Sequence, residues 1–220
     1  LPWYTPEGRQ AGLSSNVMRA GPDLRDDLTY MVDGFAQAPF HFFNLLDPRT
    51  TTVRLGYYFR NFDGCDADPC HGTTGAATFE PIRSGNWPAN TVVRFPADEQ
   101  TIDQLAHEGE SPSPLAACPD YSAPAGLPLF VMHGRDNLPK VRTTTLTLAG
   151  ATVEHCTFAE NTYANPDPAA QALARNILRG HGALVIIPRQ PLQPNATYHV
   201  TVEYETGIDE WSFHTTNTTP

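Results

Sequence analysis

The chain has 220 residues, of which 40% are hydrophobic, so it can bury a sizeable core as one large domain or two small ones. Its net charge of −10, with 14 Lys and Arg and no basic block, excludes nucleic acid or an anionic membrane surface as the expected partner. No apolar run approaches the roughly 20 residues that span a bilayer, and 21 prolines with 16 glycines point to many turns and short strands.

The chain opens on Leu1-Pro2-Trp3 rather than Met, which reads as a processed or trimmed product. Gly21-Pro22-Asp23 is a helix start, with Asp23, Asp26 and Asp27 near the positive end of the dipole. Leu24, Leu28, Met31, Val32 and Phe35 then recur at helical spacing. Pro39 ends or kinks that helix, and His41 to Leu46 forms a short helical turn stopped by Asp47-Pro48. Thr51 to Phe59, rich in β-branched and aromatic residues, predicts a strand. Asn61 to Thr74 reads as a loop.

Asn86 to Pro124 is rich in Pro, Ser, Ala and Glu, with one strand-like piece, Thr91 to Phe95; its later part is expected to be an irregular, exposed lead-in. His107-Glu108-Gly109-Glu110 in it reads as an exposed turn. An all-β pattern follows, with strands expected at Leu127–His133, Thr143–Leu148, Thr152–Phe158, Ala183–Ile187, Thr197–Tyr204 and Trp211–Thr215. Tyr198, Val200, Val202 and Tyr204 alternate with His199, Thr201 and Glu203 as in a half-buried strand. Pro168 to Arg179, with Pro at its start and Gly180 after it, reads as a short helix or turn between strands.

Four cysteines, Cys65, Cys70, Cys118 and Cys156, suggest disulfides and an oxidising compartment, with Cys65–Cys70 closing a short loop and Cys118–Cys156 left to pair. The alternative is a metal site that uses His71 or His155 beside the cysteines. Asn195 and Asn217 head N-glycosylation sequons. Asp63, Asp66 and Asp68 resemble a calcium loop in composition but lack its register, and read as a solvated acidic loop. Trp3, Tyr4, Tyr57, Tyr58 and Phe59 are core aromatics, or else line a groove for glycan or lipid. No Ser-His-Asp set, nucleophile elbow, phosphate loop, zinc-protease motif or nucleotide fingerprint is present.

Phe35, Ala38-Pro39-Phe40-His41-Phe42, Leu45-Leu46-Asp47-Pro48 and Leu55-Gly56-Tyr57 resemble the second part of a secreted bacterial CAP domain, the superfamily of cysteine-rich secretory proteins, antigen 5 and pathogenesis-related proteins. Thr5-Pro6-Glu7-Gly8-Arg9 and Ala11-Gly12 look like the loop before that family's Gly-Glu-Asn-Ile motif, which would fall on Ser14-Ser15-Asn16-Val17. Val92 to Pro96, Pro188 to Pro194, Thr197 to Val202 and Trp211 to Thr215 look like an Ig-like β-sandwich. The resemblance implies an α+β protein: a partial CAP-like α-β-α sandwich over 1–82 and an all-β Ig-like sandwich over 83–220. It implies a family cavity with His41 as one histidine, Asp33 as the nearest acidic candidate, and Ser15 where the family has its acid. His41 would be the ligand if a divalent metal, zinc or calcium, bound there; no other cofactor is expected. With so few of the cavity groups retained, the expectation is a non-catalytic binding, adhesion or assembly protein, secreted or on the cell surface. Its partners would be an extracellular protein, glycan or lipid, or further copies of itself. The alternatives are a metal-dependent hydrolase completed by an upstream segment and a structural subunit of an extracellular assembly.

Overall fold

A computed structural model describes residues 5–20, 29–63 and 71–216. The chain is a mixed α+β protein, strand-rich, with mostly antiparallel sheets. It divides into two compact units, Leu1–Phe35 with Pro48–Asn86 and Ala36–Asp47 with Trp87–Pro220. A single cut at 82/83 does not describe this division, because the segment that carries His41 is counted with the second unit.

In the first unit, helix α1 (Pro6–Ser14) occupies the stretch expected as a loop. The local chemistry accounts for it: Pro6 sits in the first turn, and the Thr5 hydroxyl accepts a hydrogen bond from the Gly8 N–H at 2.9 Å. Strand β1 (Asn16–Ala20) and helix α2 (Thr29–Ala36) follow; the expected helix start at Gly21 to Asp27 lies outside the described residues. Strands β2 (Thr50–Asp63) and β3 (His71–Arg83) form a long antiparallel hairpin, completed by β1 in the order β1-β3-β2. The expected loop at Asn61–Thr74 is therefore shorter than its composition suggests, since Asn61 pairs with Thr73 and Asp63 with His71. Cys65, Cys70, Asp66 and Asp68 lie outside the described residues, as do Trp3, Tyr4 and Asn217.

The second unit begins with helix α3 (Pro39–Leu46), which Pro39 starts rather than breaks. Strand β4 (Val93–Phe95) falls within the piece expected as strand-like, and the later stretch, expected as an exposed lead-in, instead supplies further short strands: β5 (Gln100–Ile102), β6 (Ala106–His107) and β7 (Ala125–Gly126). The remaining elements are β8 (Leu129–Met132), β9 (Val141–Leu148), β10 (Ala151–Thr152), β11 (His155–Ala159), α4 (Pro168–His181), β12 (Ala183–Pro188), β13 (Thr197–Tyr204) and β14 (Ile208–Thr215). They build a five-stranded sheet ordered β10-β9-β13-β14-β5, a four-stranded sheet ordered β11-β12-β8-β4, and a β6-β7 ribbon.

The strand expected over Thr152–Phe158 is split between the two large sheets. The Val153 N–H donates to Leu146 O at 2.8 Å and closes the β9-β10 hairpin, whereas the Arg189 N–H donates to Glu154 O at 2.9 Å and opens the β11-β12 ladder. The sheets are joined by side chains: the Thr144 and Thr157 hydroxyls lie 2.7 Å apart, and Arg94 Nε donates to Asp209 Oδ1 at 3.0 Å. Every residue of β8 and β12 is buried, because these central strands are covered on both faces. One cover is the five-stranded sheet. The other includes α3, whose Phe43 ring meets Phe130 edge-on at 4.8 Å and whose Phe42 ring meets Phe95 at the same distance.

Helix α4 is inserted between β11 and β12. The Asp167 carboxylate caps it, accepting from the Ala169 N–H at 2.8 Å, and Ala174, Leu178 and His181 are buried at helical spacing. The helix runs past Gly180; Gly182 takes the left-handed turn (φ 54°) that ends it. A Cβ at Gly182 would fall on the Gly134 carbonyl oxygen. A disulfide joins Cys118 to Cys156, tying the short 3₁₀ turn at Pro114–Ala117 to β11. Among the described residues no helix is long and apolar enough to cross a membrane.

Candidate functional site

His41 lies in the first turn of α3 with its side chain 24% exposed, and its Nδ1 is 2.6 Å from Oε2 of Glu110, the imidazole N–H donating to the carboxylate. Glu110 is buried, with its side chain 2% exposed, and its other oxygen accepts the Phe40 N–H at 3.3 Å. This carboxylate serves as a cap from a distant part of the chain, since Ala38 has no side chain able to cap α3. Burial raises the Glu110 carboxyl above its ordinary value, and the His41 hydrogen bond and charge oppose that rise.

Two further histidines hold the same segment. His107 is fully buried and its Nδ1–H donates to Gln37 O at 2.7 Å; its Nε2 is buried with no hydrogen-bond partner among the described residues. His181 Nε2 lies 3.7 Å from the buried Asp47 Oδ2, while its Nδ1–H donates to Ile177 O at 2.9 Å. Phe40 completes the packing against Tyr163, with ring centroids 5.6 Å apart. The residues around His41 thus fasten α3 at both ends and bury its aromatic face.

The expected exposed turn at His107 to Glu110 is corrected by this arrangement: His107 and Glu110 are interior, and they partner Gln37 and His41. The sequence signal was present as a His and a Glu three positions apart, but the Gly, Ser and Pro around them read as solvent-facing. Asp33 lies exposed on α2, and Ser15, its Oγ buried without a hydrogen-bond partner among the described residues, precedes β1; both belong to the first unit.

Among the described residues no group of three or more His, Cys, Asp or Glu side chains is arranged to hold a metal ion. A catalytic metal needs about three protein ligands. The alternative metal reading of Cys156 with His155 is also corrected. Cys156 is in the disulfide, and His155 uses Nδ1 on Val153 O at 2.8 Å and Nε2 on the Thr144 hydroxyl at 3.0 Å.

The outer face of the five-stranded sheet carries a hydroxyl–imidazole–carboxylate line that sequence reading missed. Thr197 Oγ1 is 2.9 Å from His214 Nδ1, and His214 Nε2 is 3.2 Å from Glu99 Oε2. The Glu99 side chain is 70% exposed. Water screens such a pair and leaves little of the orienting force that a buried carboxylate exerts. Cross-strand register explains the arrangement, because Thr197 and His214 are direct partners in the β13-β14 ladder.

The first unit presents a surface of another kind. Among the described strands β2, 14 residues long, pairs with β3 alone and is an outer strand of its sheet. Residues 51–56 are all exposed, including Val53 at 40% and Leu55 at 43%. Successive strand residues point to opposite faces, so β2 exposes side chains on both of its faces along this stretch.

Compared with known proteins, the chain matches no family model, no curated protein and no solved structure.

Proposed function

We propose that this protein is an extracellular binding or assembly protein, with a partial CAP-like module followed by an Ig-like one, and that it acts without catalysis. The observation that carries the reading is the outer position of β2 together with the exposure of residues 51–56, Val53 and Leu55 among them. A long outer strand with exposed aliphatic side chains is a surface on which another chain can pair. The Cys118–Cys156 disulfide supports an oxidising, secreted or cell-surface setting.

The test is size-exclusion chromatography with light scattering over a concentration series, on the native chain and on a Val53→Lys/Leu55→Lys variant. Self-association that weakens in the variant supports the reading. A monomer at every salt and protein concentration overturns pairing between copies.

A second reading, a metal-dependent hydrolase completed by an upstream segment, is favoured by the His41–Glu110 pair. An imidazole oriented by a buried carboxylate suits a metal ligand or a general base. Anomalous scattering from zinc-soaked crystals would establish it if the metal lay on His41 and two further protein ligands.

A further inference from the structure

We infer that the second unit binds an extended peptide bearing a basic side chain, in the cleft that continues the open edge of β11. This site is separate from β2 and does not depend on the pairing proposed there.

The backbone sets the first part of the site. Among the described strands, β11 is the outer strand of its sheet and pairs with β12 on one side only. The Arg189 N–H to Glu154 O bond fixes the phase of the antiparallel ladder. Residues 154, 156 and 158 therefore direct their main-chain groups at β12, and His155, Thr157 and Ala159 direct theirs outward. The turn after the strand takes those of Ala159: its N–H donates to Thr162 Oγ1 at 2.9 Å and its C=O accepts the Tyr163 N–H at 2.8 Å. Thr157 is left with its N–H and C=O on the open edge, where an added strand would find them.

The second part is a cleft of about 480 Å³ that begins at Thr157. That volume falls in the range of roughly 300–1,000 Å³ usual for ligand sites. Half-buried Leu138, Pro139 and Val141 supply an apolar wall.

Charge decides the class of ligand. Glu160, half-buried, and Asp136 line the cleft, and neither carboxylate has a hydrogen-bonding or ionic partner among the described residues. The two cations on the lining face other groups. Lys140 Nζ lies 3.5 Å from Glu205, and Arg179 Nη2 donates to Asn176 Oδ1 at 3.2 Å. A lysine or arginine side chain matches this arrangement, with its aliphatic stem along the wall and its charged head at Glu160. The main chain of the same peptide would pair with Thr157.

The experiment is an amide NMR titration of the full chain with the capped peptides Ac-Leu-Lys-Leu-NH2 and Ac-Leu-Glu-Leu-NH2. The lysine peptide is expected to shift the amides of Thr157, Glu160 and Leu184, and the glutamate peptide to leave them in place. Because a charge-assisted hydrogen bond is removed, Glu160→Gln should weaken lysine-peptide binding by about tenfold. Glu203→Gln, on the outer face of the other sheet, should leave it unchanged. Equal response to the two peptides, no response at millimolar lysine peptide, or undiminished binding by Glu160→Gln overturns the proposal. The Val53→Lys/Leu55→Lys variant is expected to bind the lysine peptide as the native chain does, which separates failure here from failure of the β2 reading.

Discussion

Glu110 concentrates the electrostatics of the second unit in one side chain. Its carboxyl is raised above the ordinary 4.5 chiefly by burial, and only partly restored by His41 and the Phe40 N–H. Between 4.5 and the raised value, the folded chain holds a proton that the unfolded chain has released. Stability therefore falls as pH rises through that window and recovers on acidification. Glu110→Gln cannot take up the proton, so the pH dependence of its denaturation midpoint should flatten there; an unchanged slope would show that Glu110 is not its source. The residue also shows where sequence reading stops. His41 stood out because aromatics and prolines frame it, but its partner is 69 positions away in a turn-rich stretch. Nothing local says that this carboxylate is interior.

At the level of elements, legibility followed local self-sufficiency. Strand β13 matches its expected span, Thr197–Tyr204, because its alternation of apolar and polar residues is the same pattern that the two faces of the sheet impose. Helix α4 was readable from Pro168 and its Ala-rich body, with the stop displaced from Gly180 to Gly182, where the left-handed turn falls. Helix α3 was readable as a helical turn but not as to what it covers. Its aromatic run contacts Phe95, Phe130 and Phe158, which lie on strands far along the chain. Phe43 is fully buried at the centre of this contact. Phe43→Ala should cost roughly 3–5 kcal/mol by removing a large core side chain. Chemical denaturation of the two proteins measures it, and a loss below about 1 kcal/mol, the level of an exposed site, would mean that α3 is not the cover of β8.

For the whole molecule, the mixed α+β character was legible, and so was the strand-rich second half. The division into units was not, because it depends on a segment that leaves one unit and joins another. The disulfide adds a covalent constraint to the second unit: Cys118 and Cys156 are 38 positions apart. In the chain-entropy model such a loop contributes about 4 kcal/mol. Reduction should lower the thermal midpoint of the second unit, as calorimetry with and without reductant would show; an unshifted midpoint would mean that the bond adds nothing to folding. The excursion of residues 36–47 has a consequence for how the protein is made. During synthesis α3 leaves the ribosome before any of the strands it covers, so its aromatic face waits uncovered until β8 and β12 have been translated. The two halves of the first unit flank this waiting segment in the chain, so strands made later fix the helix that joins pieces made earlier.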